Sequence, residues 1–127
     1  MQRTRSVSFS RDNLIHLVMR PDFFEKNPSL VTQQQEITDC VARYKESIAA
    51  AGCGCRANTS LVMDCLENLL TKLEALQAAG DELSKQAVAE FIKYSTNVVP
   101  RENETITLNV YFRKTGVDDA HKYEFVL

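Results

Sequence analysis

Gly52-Cys53-Gly54-Cys55-Arg56-Ala57-Asn58-Thr59-Ser60 separates the two longest apolar-periodic runs of the chain, and its reading decides the fold. Two of the four glycines and two of the four cysteines fall inside it. Gly52 stands where a helix end calls for a left-handed residue, and Asn58, Thr59 or Ser60 can cap the helix that follows. The stretch reads as the tip, residues 52–60, of an antiparallel helical hairpin spanning about 28–79.

Working back from the tip, Ala51, Ile48, Tyr44, Val41, Ile37 and Leu30 recur at spacings of three and four, with Gln34 the polar member of the seam. Asn27-Pro28 supplies a helix start, with Asn as N-cap and Pro at the first helical position. Thr32-Gln33-Gln34-Gln35 also fits a capping box, which predicts an irregular first turn. Asp39 and Arg43 are spaced for an ion pair on the wet face. Working forward, Leu61, Val62, Cys65, Leu66, Leu69, Leu70, Leu73 and Leu76 form a stripe too wide for one contact. That helix is expected to be covered on more than one side. Gly80 closes it, and Asp81 caps a third helix carrying Ala87, Val88, Phe91 and Ile92 and fading near Ser95. Residues 97–104 read as a linker.

At the chain ends the period changes. Thr105-Ile-Thr-Leu-Asn-Val-Tyr-Phe-Arg113 alternates strictly, with Ile106, Leu108, Val110 and Phe112 on one side. Lys122 to Leu127 alternates again after an eight-residue loop, giving a C-terminal β-hairpin over about 105–127. A two-stranded ribbon is marginal alone, so Arg5–Phe9, with Val7 and Phe9 on one side, is expected to add a third strand. Ser10 then caps a helix containing Leu14, Leu17 and Val18 and ending before Pro21. Leu14–Met19 is nearly continuous apolar sequence, so a strand over 11–20 is the competing reading. Phe23 and Phe24 are expected to pin the next connection to the core. The architecture is α+β in a single domain, 1–127: a helical hairpin and one or two further helices on a small two- or three-stranded antiparallel sheet formed by the chain ends.

Composition narrows the function. The 127 residues are 44% hydrophobic and 25% charged, with a net charge of −2, which argues against a strong overall field for nucleic acid. Arg3, Arg5 and Arg11 nonetheless precede the first acidic residue, Asp12. No apolar run suits a signal peptide or a membrane span, so the expected setting is cytoplasmic or within a virus particle, with cysteines as thiols. Zinc needs four converging ligands, commonly two close pairs. Here Cys53 and Cys55 form one pair, while Cys40 and Cys65 fall on apolar helix faces at different heights and read as core residues. Arg56 and the following helix start favour a thiolate at Cys53 or Cys55. Glycines at 52 and 54 equally serve a plain turn. His16 and His121 lack a second ligand at metal spacing, and Asp118-Asp119 lacks a third carboxylate.

The leading expectation is a non-enzymatic structural or interaction protein, self-associating or part of a multi-copy assembly such as a viral or phage particle. No cofactor is expected; Arg3, Arg5, Arg11, Arg56 and outward-facing Tyr111 are the partner-binding candidates. The first alternative is a thiol- or metal-responsive regulator using Cys53 and Cys55, with zinc as the metal. The second is a nucleic-acid accessory factor using the basic N-terminal arm.

Overall fold

The computed structural model describes residues 3–51, 60–113 and 118–127. The tip, with Cys53, Cys55 and Arg56, lies outside them. Strand β1 (Arg3–Phe9) leads into helix α1 (Arg11–Val18) and the short α2 (Phe23–Lys26). A 3₁₀ segment, Pro28–Gln33, precedes α3 (Gln34–Ala51), α4 (Ser60–Ala79) and α5 (Glu82–Thr96), and strands β2 (Glu104–Arg113) and β3 (Ala120–Val126) follow.

Residues 11–18 are helix, because Ser10 and Asn13 build a reciprocal cap. The Asn13 N–H donates to Ser10 Oγ at 3.4 Å, and the Ser10 N–H donates to Asn13 Oδ1 at 2.8 Å. With its first turn fixed, α1 buries Leu14, Ile15, Leu17 and Val18. Phe23 is fully buried, and the Tyr94 hydroxyl of α5 donates to Asp22 Oδ1 beside it. Burial, and then that bond to a carboxylate, push the Tyr94 hydroxyl above its usual range.

Asn27 stands at the N-cap position with Pro28 the first residue of the 3₁₀ segment, as expected, but its side chain does not cap forward. Its Nδ2 donates back to Phe23 O at 2.9 Å, closing α2, and the six residues after it form the 3₁₀ segment. The helix proper therefore starts at Gln34. The Thr32 hydroxyl accepts from Lys72 Nζ at 2.8 Å, tying this entry to α4. Asp39 accepts from Gln35 Nε2, one turn earlier, rather than from Arg43.

Helix α4 lies at the centre, against α3 and α5 on its sides and against β3 and α1. Val62, Leu66, Leu69, Leu70 and Leu73 are buried along it, each contributing about 2 kcal/mol of transfer free energy. Gly80, at φ +73°, makes the left-handed turn out of α4. Asp81 then caps α5, accepting from the Ser84 hydroxyl at 2.6 Å and the Ser84 N–H at 3.1 Å. Those two bonds hold its carboxyl below the usual carboxylate range. Asn97, in the left-handed conformation, ends α5.

The sheet is mixed, and this corrects the antiparallel expectation. Its order is β1-β2-β3: β2 pairs antiparallel with β3, whereas β1 pairs parallel with β2. The physical reason is the connection. Residues between β1 and β2 form the whole helical layer, a crossover long enough to return the chain to the starting end of the sheet, and a tight turn is not available. Alternation in β1 reads the same in either direction, so the sequence carried no sign of it. In register, Val7 faces Leu108 and Phe9 faces Val110, while Leu108 faces Phe125 and Val110 faces Tyr123. This face packs on the helices. The opposite face, with Ser6, Ser8, Thr107, Asn109, Tyr111, Lys122 and Glu124, carries the exposed and half-exposed positions. Among the described residues, no helix is long and apolar enough to cross a membrane.

Candidate interaction surface

The cysteine expectation changes first. Cys40 and Cys65 are joined in a disulfide across α3 and α4, with Cα atoms 6.9 Å apart. Cys65 is buried in the core and Cys40 packs against it half-buried, as the sequence reads, but the two are joined and are not separate thiols. The heights were misjudged because the two helices are staggered. Cys40 lies about 16 Å before the end of α3, and Cys65 about 8 Å after the start of α4, at 1.5 Å per residue. Helix α3 thus overruns the first described turn of α4, and Ile48 on its seam is 46% exposed. Among the described residues, no three His, Cys, Asp or Glu side chains are grouped to hold a metal. His121 Nε2 lies 3.9 Å from Glu74 Oε2, and its ring meets Tyr123 edge-on at 4.5 Å. His16, Asp118 and Asp119 are exposed.

The basic residues do not form a free arm. Arg3 and Arg5 belong to β1, and Arg11 begins α1 beyond the strand's far end, about 20 Å from Arg3 at 3.3 Å per residue. Arg5 Nη2 lies 3.2 Å from Glu104 Oε2 on β2, and Arg11 Nε lies 3.6 Å from Asp12 Oδ1. Arg3 shares a cleft with Arg101, Glu102, Asn103 and Glu104. Tyr111 projects outward, 45% exposed, in register with Lys122.

The two sheet edges are treated oppositely. On β3, the residues facing away from β2 are Ala120, Lys122, Glu124 and Val126, since Leu127 exchanges both backbone bonds with Ile106. Gln77 of α4 covers the C-terminal end of that edge. Its Nε2 donates to Glu124 O, and the Val126 N–H donates to its Oε1, each at 2.9 Å. One amide side chain replaces a neighbouring strand. On β1, the Arg3 N–H donates to Asn103 O at 2.7 Å, so Arg3, Arg5, Val7 and Phe9 present their backbone groups to β2. By alternation, the N–H and C=O groups of Thr4, Ser6 and Ser8 point out of the sheet. Among the described residues no side chain takes Gln77's role there. The strand is exposed from Arg3 to Ser6, and Val7 and Phe9 are half-buried.

Sequence reasoning placed Tyr111 on the outward face and found the strand but missed Gln77. A side chain that bonds only backbone leaves no pattern of its own. Gln77→Ala is expected to cost about 2 kcal/mol, two hydrogen bonds' worth, and to make the protein associate further as concentration rises. Urea denaturation and sedimentation velocity measure the two effects. An alanine variant matching the parent in both would show that the β3 edge needs no cover.

Neither a scan against protein-family models nor comparison with curated proteins and solved structures finds a match to this chain.

Proposed function

We propose that the chain is a non-enzymatic structural subunit that works by joining copies of itself into a multi-copy assembly, such as a particle shell. The observation that carries this reading is the contrast between the sheet edges. One is covered at Glu124 and Val126 by Gln77, while on the other, among the described residues, the outward backbone groups of Thr4, Ser6 and Ser8 have no such cover. An open edge is a template for another strand, and proteins that have no use for one block it with charge, proline, a bulge or a covering element. Here a covering side chain is built on β3 at Glu124 and Val126, whereas β1 carries Arg3 and Arg5, of which Arg5 is paired with Glu104. The outer face, with Tyr111 beside Lys122 and among hydroxyl and amide side chains, offers a second contact to neighbours.

Sedimentation equilibrium over a micromolar to submillimolar range tests the proposal. Reversible self-association is expected, and a strict monomer at the highest concentration would overturn it.

A further inference from the structure

We infer that the occupant of the open β1 edge is β1 of a second copy, paired antiparallel about a two-fold axis through Ser6. The inference rests on the self-association proposed above and gives it a geometry. Only Thr4, Ser6 and Ser8 have outward backbone groups, so only registers that set these residues opposite one another form hydrogen bonds. Centring on Ser6 sets Thr4 against Ser8 of the second copy, Ser6 against Ser6, and Ser8 against Thr4. The whole of Arg3–Phe9 is then paired. Each opposed pair exchanges two backbone bonds, about six in all.

The side chains agree with that register. Thr4, Ser6 and Ser8 share the outer face, where short hydroxyl side chains meet without clash. On the inner face, Arg5 falls opposite Val7 of the second copy, and Arg3 opposite Phe9. The arginine stems then cover the two apolar side chains that are half-exposed in one copy, with the Arg3 guanidinium over an aromatic ring. Sliding the register by two residues one way sets Arg5 directly against Arg5, a like-charge contact. Sliding it the other way leaves Arg3 and Thr4 unpaired. In the centred register the two Arg5 side chains are only diagonal neighbours, and each is already paired with Glu104.

The axis stands perpendicular to the sheet, so inner faces stay inner. The product is a six-stranded sheet in the order β3-β2-β1-β1-β2-β3, with both helical layers on one side. Its two outer edges are both β3, each covered at Glu124 and Val126 by Gln77. Because the two-fold contact uses the β1 edge of each copy once, pairing through β1 stops at two copies.

Ser6→Pro tests the edge. Proline removes only the outward N–H of Ser6, a position an edge strand tolerates, so the β1–β2 pairing is kept. Sedimentation of this variant is expected to show the dimer dissociation constant raised at least tenfold, with a thermal melt that matches the parent's at concentrations where both are monomers. Ser6→Lys and Ser6→Glu test the register independently. Each alone sets like charges opposite across the axis and weakens the dimer, while an equal mixture restores a one-to-one heterodimer. A parent that dimerises, with S6P equally tight, or a K/E mixture that fails to re-pair, would overturn this geometry alone. A parent monomeric at every concentration would overturn the proposed function as well.

Discussion

Phe23→Ala is expected to destabilise the protein by about 4 kcal/mol, the largest loss among the single substitutions considered. Phe23 is fully buried where the α1–α2 connection meets α5. Its ring meets Phe24 at 4.9 Å, Tyr94 at 5.8 Å and Phe91 at 6.5 Å, each edge to face. Truncation removes the transferred area, leaves a void in close-packed surroundings, and forfeits three aromatic contacts together. The Tyr94–Asp22 bond, which lies against the same ring, loses its support. Thermal denaturation followed by circular dichroism should show a midpoint lowered on the order of 10 °C or more for a chain of this size. Phe24→Ala is the internal comparison. Phe24 is only half-buried, so its loss should be less than half as large. Equal effects at the two positions would mean that α2 is not anchored through Phe23.

Removing the Cys40–Cys65 link is expected to cost about 3 kcal/mol. The bond closes a loop with a sequence separation of 25, and its main action is to restrict the unfolded chain. It joins α3 and α4 below the α3 overrun. There the seam is weaker than the periodicity implies, since Ile37 is buried but Val41 and Tyr44 are only half-buried and Ile48 is exposed. Urea denaturation of the parent with and without a non-thiol reductant should show two midpoints. Cys40→Ala/Cys65→Ala should match the reduced parent and ignore reductant. A parent curve that reductant leaves in place would show that the link carries no stability.

Much of the architecture was legible because local chemistry and packing agree. Ser10, Asp81 and Gly80 mark helix ends that the structure uses. The alternation of Ile106, Leu108, Val110 and Phe112 predicts a strand with one buried face, and all four are buried. What escaped was relational. The parallel direction of β1 depends on where the chain re-enters the sheet after its helices, which no residue in β1 encodes. The Cys40–Cys65 pairing depends on the stagger of α3 and α4, which a seam of repeating residues does not fix. Asn27 carried a cap signal whose side chain was taken by the Phe23 carbonyl instead. The candidate surface was half legible. Arg3, Arg5 and Tyr111 stood out by charge or exposure, whereas Thr4, Ser6 and Ser8 matter through their backbone and Gln77 through an amide that imitates one.

The parallel pairing of β1 with β2 also sets a timetable. Every partner in that register lies 101 residues away, as Arg3 and Glu104 do. At roughly 5–20 residues per second of synthesis, β1 emerges many seconds before the strand that holds it. Through that interval its partner strand β2 has not yet been made. The hairpin of α3 and α4, whose contacts are closer in sequence, can form first, and β1 docks last because its loop is the longest to close. A strand that waits this long is served by serine, threonine and arginine, which keep an unpaired segment in water until its sheet arrives.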